Sequence, residues 1–129
     1  MTEQKTKATV FIVDDDKFLI DMYSLKFSRE GFDVAVAMSG EDALSKLREG
    51  LKPQAILVDV IMPAMDGLDF VEKAKTEKLL EVTKIIMLTN QSGEAEIERA
   101  KKLKVDGYIV KATTVPSEVV SEVKKIAGI

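Results

Sequence analysis

The 129-residue chain contains neither cysteine nor histidine. Without cysteine there is no disulfide framework, thiolate metal site or cysteine nucleophile, and without histidine the commonest general base and metal ligand is missing. The formal net charge of -3 and the pI near 5.1 lack the cationic excess typical of nucleic-acid-binding domains, so we expect no direct binding of nucleic acid. Any chemistry must come from carboxylates, hydroxyls and lysine.

Long apolar runs are also missing from the sequence. No window approaches the roughly 20 apolar residues of a membrane-spanning helix. The first residues reach only a short apolar run before three aspartates, unlike a signal peptide. We therefore expect a cytoplasmic protein without a membrane segment, and the chain length suits one domain with its own hydrophobic core.

Five short apolar runs predict β-strands. They are TVFIV from Thr9, FDVAVA from Phe32, QAILV from Gln54, KIIML from Lys84 and GYIV from Gly107. The segments between them are long enough for helices, an alternation typical of βαβ units. The sequence therefore predicts an α/β fold in which helices cover both faces of a parallel sheet.

Capping residues and glycines mark the expected helix ends. The segment SGED from Ser39 resembles a capping box that opens the second helix, and Gly50 would close that helix. A third helix should start at Asp66-Gly67, a pair that we interpret as turn chemistry rather than catalysis. The charges of the fourth helix, including a Glu98 and Lys102 pair, indicate a solvated face.

The first helix carries more apolar residues than one stripe against a sheet requires. Lys17, Asp21, Ser24 and Ser28 share one face, which should be solvated. The rest of the circumference, beginning with Phe18, is largely apolar. Either some of these side chains face a partner or the helix is broadly buried.

Reactive side chains follow four of the five predicted strands. These residues are Asp14, Asp15 and Asp16 after the first strand, Asp59 after the third, Thr89 after the fourth and Lys111 after the fifth. Loops at the carboxyl ends of parallel strands can converge on a ligand. Each residue alone has an ordinary explanation, such as helix capping by Asp16, but their shared position predicts a functional site.

The expected cluster of Asp14, Asp15 and Asp59 requires a compensating cation. Two carboxylates about 4 Å apart repel each other by roughly 4 kcal/mol at an effective dielectric constant near 20. Ligation by oxygen alone favours Mg²⁺, with Mn²⁺ as the alternative, over zinc. Such an ion could bind phosphate oxygens while Lys111 neutralises the opposite side, which suits phosphoryl transfer.

The segments FIVDDD, LVDVIMPAMDG, MLTN and DGYIVK, in this order and spacing, resemble the receiver domain of two-component response regulators. The resemblance covers essentially the whole chain from about Thr9. It implies a flavodoxin-like, doubly wound parallel sheet of five strands in the order 2-1-3-4-5. It also implies that residues 1–129 form a single receiver domain, with 1–7 as a flexible N-terminal segment and no output domain.

The resemblance also implies the chemistry of the site. Asp59 would be the phosphoacceptor, taking a phosphoryl group from the phosphohistidine of a sensor histidine kinase or phosphotransfer protein, or from a small acyl phosphate. The Mg²⁺ ligands would be Asp15, Asp59 and the backbone carbonyl of Ile61, while Asp14 would act mainly through its charge. The domain would assist only its own phosphorylation and dephosphorylation and would otherwise not be an enzyme.

Two further residues would change their contacts when Asp59 is phosphorylated. Thr89 would hydrogen-bond the phosphoryl group that Lys111 pairs with, and Tyr108 would move inward together with Thr89. The resulting population shift would alter a surface formed by the fourth helix, fifth strand and fifth helix. This surface would bind an unknown downstream protein and also allows a homodimer.

The chain departs from the usual pattern of the family at three positions. Ala112 follows Lys111 where a cis proline usually aims the lysine, and a cis bond without proline costs about 3 to 4 kcal/mol. Asn90 stands where a small residue usually leaves the site open, which predicts restricted access. Ile61 offers no polar group to orient a hydrolytic water, which predicts a long-lived phospho-Asp59.

Two other functions remain as alternatives. The departures at Asn90 and Ala112 would suit a receiver-like interaction module that works without phosphorylation, although the five polar site residues are all present. A flavin-binding domain of similar topology would need a phosphate-cradling loop after the first strand. Three consecutive aspartates there would repel the phosphate, which argues against a flavin.

Overall fold

The computed structural model describes residues 8–90, 93–111 and 114–129, in which five strands alternate with five helices. The strands are β1 (Thr9–Val13), β2 (Asp33–Ala37), β3 (Ala55–Asp59), β4 (Lys84–Thr89) and β5 (Gly107–Val110). The helices are α1 (Lys17–Arg29), α2 (Gly40–Arg48), α3 (Gly67–Thr76), α4 (Glu94–Lys102) and α5 (Pro116–Ala127). The predicted N-terminal segment 1–7 and Ala112 lie outside the described residues.

The strands form one parallel sheet in the order β2-β1-β3-β4-β5, which confirms the predicted doubly wound topology. β2 lies at an edge, as the implied strand order requires, and it carries none of the reactive residues. The register aligns the carboxyl ends of the other strands: Asp59 lies beside Leu88, and Thr89 lies beside Val110. The sheet therefore brings the residues that follow β1, β3, β4 and β5 to one edge.

Two hydrophobic cores lie on opposite faces of the sheet. Alternate residues of each strand serve alternate faces because the side-chain period of a strand is two. In β1, Phe11 contributes to the core beneath α2, α3 and α4, whereas Val10 and Ile12 contribute to the core beneath α1 and α5. The central strands β1 and β3 are thus apolar on both sides, as their unbroken hydrophobic runs predicted.

The predicted helix ends are confirmed. Ser39 caps α2 by accepting a hydrogen bond of 3.0 Å from the backbone N–H of Asp42, and Gly50 follows the helix with φ +113°. Asp66 caps α3, as the turn interpretation of Asp66-Gly67 required. Among the described helices, none has the length and apolar character needed to cross a bilayer.

Three interpretations of the helix surfaces are contradicted. Of the two alternatives left open for α1, broad burial is wrong, because the side chains of Phe18 and Leu25 are 75% and 53% exposed. Its predicted solvated face also fails at Ser24, whose hydroxyl is buried. Within the described residues, Glu98 and Lys102 form no ion pair.

Candidate functional site

Three carboxylates and one lysine meet at the carboxyl end of the sheet. Asp14 and Asp59 are 2% and 7% exposed, whereas Asp15 is open to solvent. One carboxylate oxygen from each of the three aspartates lies within 4.8 Å of the others. The structure therefore brings together the acidic residues that strand-end positions had predicted.

Asp14 is the most completely constrained member of the cluster. Its backbone N–H donates to Ala37 of the neighbouring strand at 3.1 Å, and its Oδ1 accepts from the backbone N–H of Asp16 at 3.0 Å. Its Oδ2 pairs with Nζ of Lys111 at 3.1 Å. Asp16 points elsewhere and caps α1 by accepting from the backbone N–H groups of Phe18 and Leu19, which agrees with its structural interpretation.

Lys111 bridges the two buried aspartates. Its Nζ lies 3.1 Å from Oδ2 of Asp14 and 3.4 Å from Oδ1 of Asp59, and its side chain is only 9% exposed. Burial acts to lower the pKa of Lys111, but the charges and hydrogen bonds of the two aspartates outweigh it, and the pKa is raised. The lysine stays cationic and reaches the site from β5 directly.

Asp59 holds its proton more tightly than an ordinary aspartate. Burial is the largest cause and the charge of Asp14 the next, and together they raise its pKa to about 6 although Lys111 acts in the opposite direction. The positive charge that the protein itself supplies therefore does not fully balance the negative charge of this carboxylate. An added cation would relieve this repulsion, and the oxygen donors of Asp14, Asp15 and Asp59 suit a hard divalent ion such as Mg²⁺.

Gly67 fixes the backbone of Asp59, a role that sequence reasoning missed. The Gly67 N–H donates to the carbonyl of Val60 at 2.7 Å, and a Cβ on Gly67 would lie only 2.1 Å from the backbone carbonyl oxygen of Asp59. The start of α3 thus presses directly against the strand end that carries Asp59. The glycine in the sequence signalled a turn, but nothing in the sequence revealed this close contact between the start of α3 and the end of β3.

Thr89 and Tyr108 lie on the face of the sheet beneath α4. Thr89 ends β4 and is fully buried, and Tyr108 lies beside Met87, two residues earlier on the same strand face. The Tyr108 hydroxyl is buried. Burial raises the pKa of Tyr108, the charge of Glu96 raises it further, and an interaction with Thr89 opposes this rise.

A small cavity of about 190 Å³ opens above the acidic cluster. Ile61 and Asn90 border it, and the side chain of Ile61 is 59% exposed. Both residues that were expected to influence access and hydrolysis thus lie at the mouth of the site. Tyr23 of α1 is a further neighbour that the sequence did not indicate: its pKa is raised by burial, and Lys111 and the nearby aspartates also act on it.

Comparisons with known proteins agree with this geometry. Residues 10–124 match the family model of the response regulator receiver domain. The chain is 33% identical over 117 residues to the alkaline phosphatase synthesis transcriptional regulatory protein PhoP of Bacillus subtilis, a match that covers 91% of this chain and 47% of PhoP. It is 35% identical over 106 residues to the chemotaxis protein CheY1 of Helicobacter pylori, covering 81% of this chain and 86% of CheY1.

A solved structure of the chemotaxis protein CheY4 from Vibrio cholerae superimposes with a TM-score of 0.86 at 27% identity, covering 94% of this chain and 99% of CheY4. The chain spans about half the length of the transcriptional regulators, such as PhoP, that it matches. The family match covers most of the chain, and it agrees with the strand order and the cluster at the carboxyl end of the sheet. The chain belongs to the response regulator receiver domain family.

Proposed function

We propose that this receiver domain accepts a phosphoryl group on Asp59 in a Mg²⁺-dependent reaction. The observation that carries the proposal is the placement of Asp59: it is buried at the end of β3, close to two more aspartates, and 3.4 Å from a buried lysine. The raised pKa, about 6, indicates a carboxylate that the protein alone does not fully compensate. Such a group is suited to a reaction that brings in a cation and a phosphoryl group.

In the proposed step, a carboxylate oxygen of Asp59 attacks the phosphorus of a phosphohistidine on a histidine kinase or phosphotransfer protein. The new O–P bond forms as the P–N bond breaks, and the electron pair stays on the imidazole nitrogen, which then takes a proton. Asp59 must be ionised to attack, so the step requires a pH near or above its pKa. Lys111 lies where it can pair with phosphoryl oxygens.

Mg²⁺, or Mn²⁺ in its place, would compensate negative charge on the carboxylates and the phosphoryl group. Asp15, Asp59 and the backbone carbonyl of Ile61 are the proposed ligands, and Asp14 would contribute mainly charge. Asp14 is already committed to Lys111 and to the backbone of Asp16, which supports its indirect role. The domain would assist its own phosphorylation and dephosphorylation only.

Phosphorylation would be read out through Thr89 and Tyr108. Thr89 is proposed to donate a hydrogen bond to the phosphoryl group, and the burial of the Tyr108 hydroxyl beside it supports a coupled movement. The surface formed by α4, β5 and α5 would then bind a downstream protein. A homodimer through the same surface stays a prediction.

The first test is the intact mass of the protein after incubation with Mg²⁺ and acetyl phosphate. We expect one added phosphoryl group in the wild type, and none in Asp59→Ala or after metal chelation. If acetyl phosphate gives no adduct, the experiment is repeated with a phosphorylated histidine kinase as the donor. Failure with both donors would contradict the proposal and favour an interaction module that works without phosphorylation.

Ile61 should set the lifetime of the phosphorylated state. It borders the cavity above Asp59 but has no polar group to orient an attacking water. We expect Ile61→Asn to shorten the lifetime of phospho-Asp59 severalfold, measured as the decay of the phosphorylated mass. Ile61→Val is the matched control and should decay like the wild type; equal decay in the Asn variant would contradict this role.

A further inference from the structure

The five described helices all end in the same backbone motif, but with two different residue types. After each helix, one residue takes a positive φ and the next donates its N–H back to a carbonyl five residues earlier. The residue with positive φ is glycine in three cases, Gly31, Gly50 and Gly128, and lysine in two, Lys78 after α3 and Lys104 after α4. The φ values of these lysines are +60° and +58°.

Lysine is a costly choice at this position because a Cβ disfavours the left-handed region that glycine enters freely. Attraction to the helix dipole does not account for it. α1 carries Lys26 and Arg29 in its last turn and still ends with Gly31. α3 and α4 likewise have lysines in their last turns. These lysines already interact favourably with the helix dipole, so a further lysine in the strained position is not needed for that purpose.

Both lysines border the same cavity. It has a volume of about 400 Å³ and lies at the amino end of the sheet, opposite the Asp59 site. We call it the lysine cavity; its lining includes Lys75, Lys78, Lys84, Lys104, Leu80 and Val82. Val82 is 73% exposed, so an apolar side chain lies among the cations.

The lysine cavity has a local excess of positive charge in a chain whose net charge is -3. Its two carboxylates belong to Glu81 and Asp106, and Asp106 is already engaged by the backbone N–H of Ile85 at 2.7 Å and by Lys84 at 3.9 Å. In the described part of the chain, the other three lysines of the cavity have no ion-pair partner.

We propose that the lysine cavity is a docking surface for an acidic segment of a partner protein. Carboxylates of the segment would pair with Lys78, Lys104 and Lys75, and an apolar side chain between them would contact Val82. The exposed valine favours a peptide over a small anion, which has no apolar part to place there. Because the cavity lies at the end of the sheet opposite Asp59, a docked segment would leave the Asp59 site uncovered.

The test uses a fluorescent peptide of repeated Glu-Glu-Leu and the full chain. Fluorescence anisotropy should show binding to the wild type that weakens as salt is added. The double variant Lys78→Gly with Lys104→Gly should bind at least about fivefold more weakly, since two exposed ion pairs are lost. Its Tm should rise by roughly 2 to 6 °C because the left-handed positions are relieved.

Two further variants sharpen the result. Lys78→Arg with Lys104→Arg keeps the charges and should bind the peptide about as well as the wild type. Lys26→Gln with Lys125→Gln removes the same number of charges from α1 and α5 on the other face of the sheet, and should also leave binding unchanged.

Several outcomes would overturn the proposal. It fails if the wild type does not bind the peptide, or if the glycine variant binds it as well as the wild type does. It also fails if the control on α1 and α5 loses as much affinity, since binding would then be non-specific. A lower Tm in the glycine variant would show that the lysines serve the fold, and binding of ATP or inorganic phosphate without the peptide would indicate a small anion instead.

Discussion

Most charged side chains are buried at the carboxyl end of the sheet and exposed at its amino end. At the carboxyl end, Asp14, Asp59 and Lys111 are almost completely buried, and Nζ of Lys111 lies 3.1 Å from Asp14 and 3.4 Å from Asp59. At the amino end, the lysine cavity holds exposed cations, most of them without a partner in the described chain. An exposed charge is solvated by water, whereas a buried one must be compensated by its neighbours. Burial rather than the number of charges therefore identifies the reactive end.

The largest effect should come from Gly67→Ala at the carboxyl end. The new Cβ would lie 2.1 Å from the carbonyl oxygen of Asp59, and neither backbone can move without displacing the nucleophile. We expect a loss of stability of about 3 kcal/mol and no phosphorylation of Asp59. Urea denaturation and intact mass after acetyl phosphate treatment measure the two effects.

Gly107→Ala is the matched change near the amino end of β5. Its Cβ would meet Cδ1 of Ile126 at 2.5 Å, but this atom is the end of a flexible side chain that can turn away. The loss of stability should be clearly smaller than for Gly67→Ala, and phosphorylation should persist. Equal losses at the two positions would contradict the view that the backbone of Asp59 is the constrained part.

The second prediction concerns the charge of Asp59. Its pKa of about 6, against 3.8 for an ordinary aspartate, means that the folded state binds this proton more tightly than the unfolded chain does. The contribution of Asp59 to the free energy of unfolding therefore falls as the pH rises between these values. Without metal, Asp59→Asn should be more stable than the wild type by about 1 to 3 kcal/mol above pH 7.

The difference in unfolding free energy between Asp59→Asn and the wild type should grow from low pH to neutral pH and then stay constant. Mg²⁺ should raise the Tm of the wild type but not that of the variant. Glu81→Gln neutralises an exposed carboxylate at the amino end and should change stability little at any pH. If Asp59→Asn raised the free energy of unfolding by the same amount at every pH, burial would not shift the pKa of this carboxylate.

The sequence was sufficient for the architecture because the local signals agreed with one another. Each apolar run became a strand that begins within one residue of its predicted start. The cap at Ser39 and the turn at Asp66 also appear as expected. The strand ends also located the aspartates and Lys111 correctly, since a parallel sheet gathers these ends at one edge.

What the sequence could not provide is how the helices and strands pack against one another. A spacing of four residues predicted a Glu98 and Lys102 pair, but the adjacent Arg99 instead reaches across to the carboxylates of α3. The approach of Gly67 to Asp59 depends on how α3 meets β3, and the exposure of Phe18 depends on how α1 packs. Helical periodicity describes one helix at a time and is silent on such geometry.

The third prediction uses two arginines that bind α3 at its opposite ends. Nη2 of Arg99 lies 2.6 Å from Asp69 and 3.0 Å from Glu72 toward the carboxyl end of the sheet, and Arg48 pairs with Glu77 at the other end of the helix. α4 has a single buried residue among those described, so Arg99 should contribute much of its attachment. We expect Arg99→Gln to speed hydrogen exchange of α4 amides.

The cost in global stability should stay below about 1 kcal/mol, since these charges are exposed and screened by water. Arg48→Gln removes a comparable ion pair and should leave the exchange of α4 unchanged. If both variants speed exchange in α4 equally, α4 is held against α3 by a general electrostatic effect and not by the ion pairs of Arg99.

The smallest predicted effect concerns Ala64, which has φ +69° in the loop that follows Asp59. A left-handed conformation disfavours alanine, so Ala64→Gly should remove this strain, although glycine loses more entropy on folding. We expect a net gain of less than about 1 kcal/mol in the free energy of unfolding, measured in urea. Ala95→Gly, at an exposed position inside α4, should instead cost about 0.5 to 1 kcal/mol. A loss of stability in Ala64→Gly as well as in Ala95→Gly would mean that the loop holds Ala64 without strain.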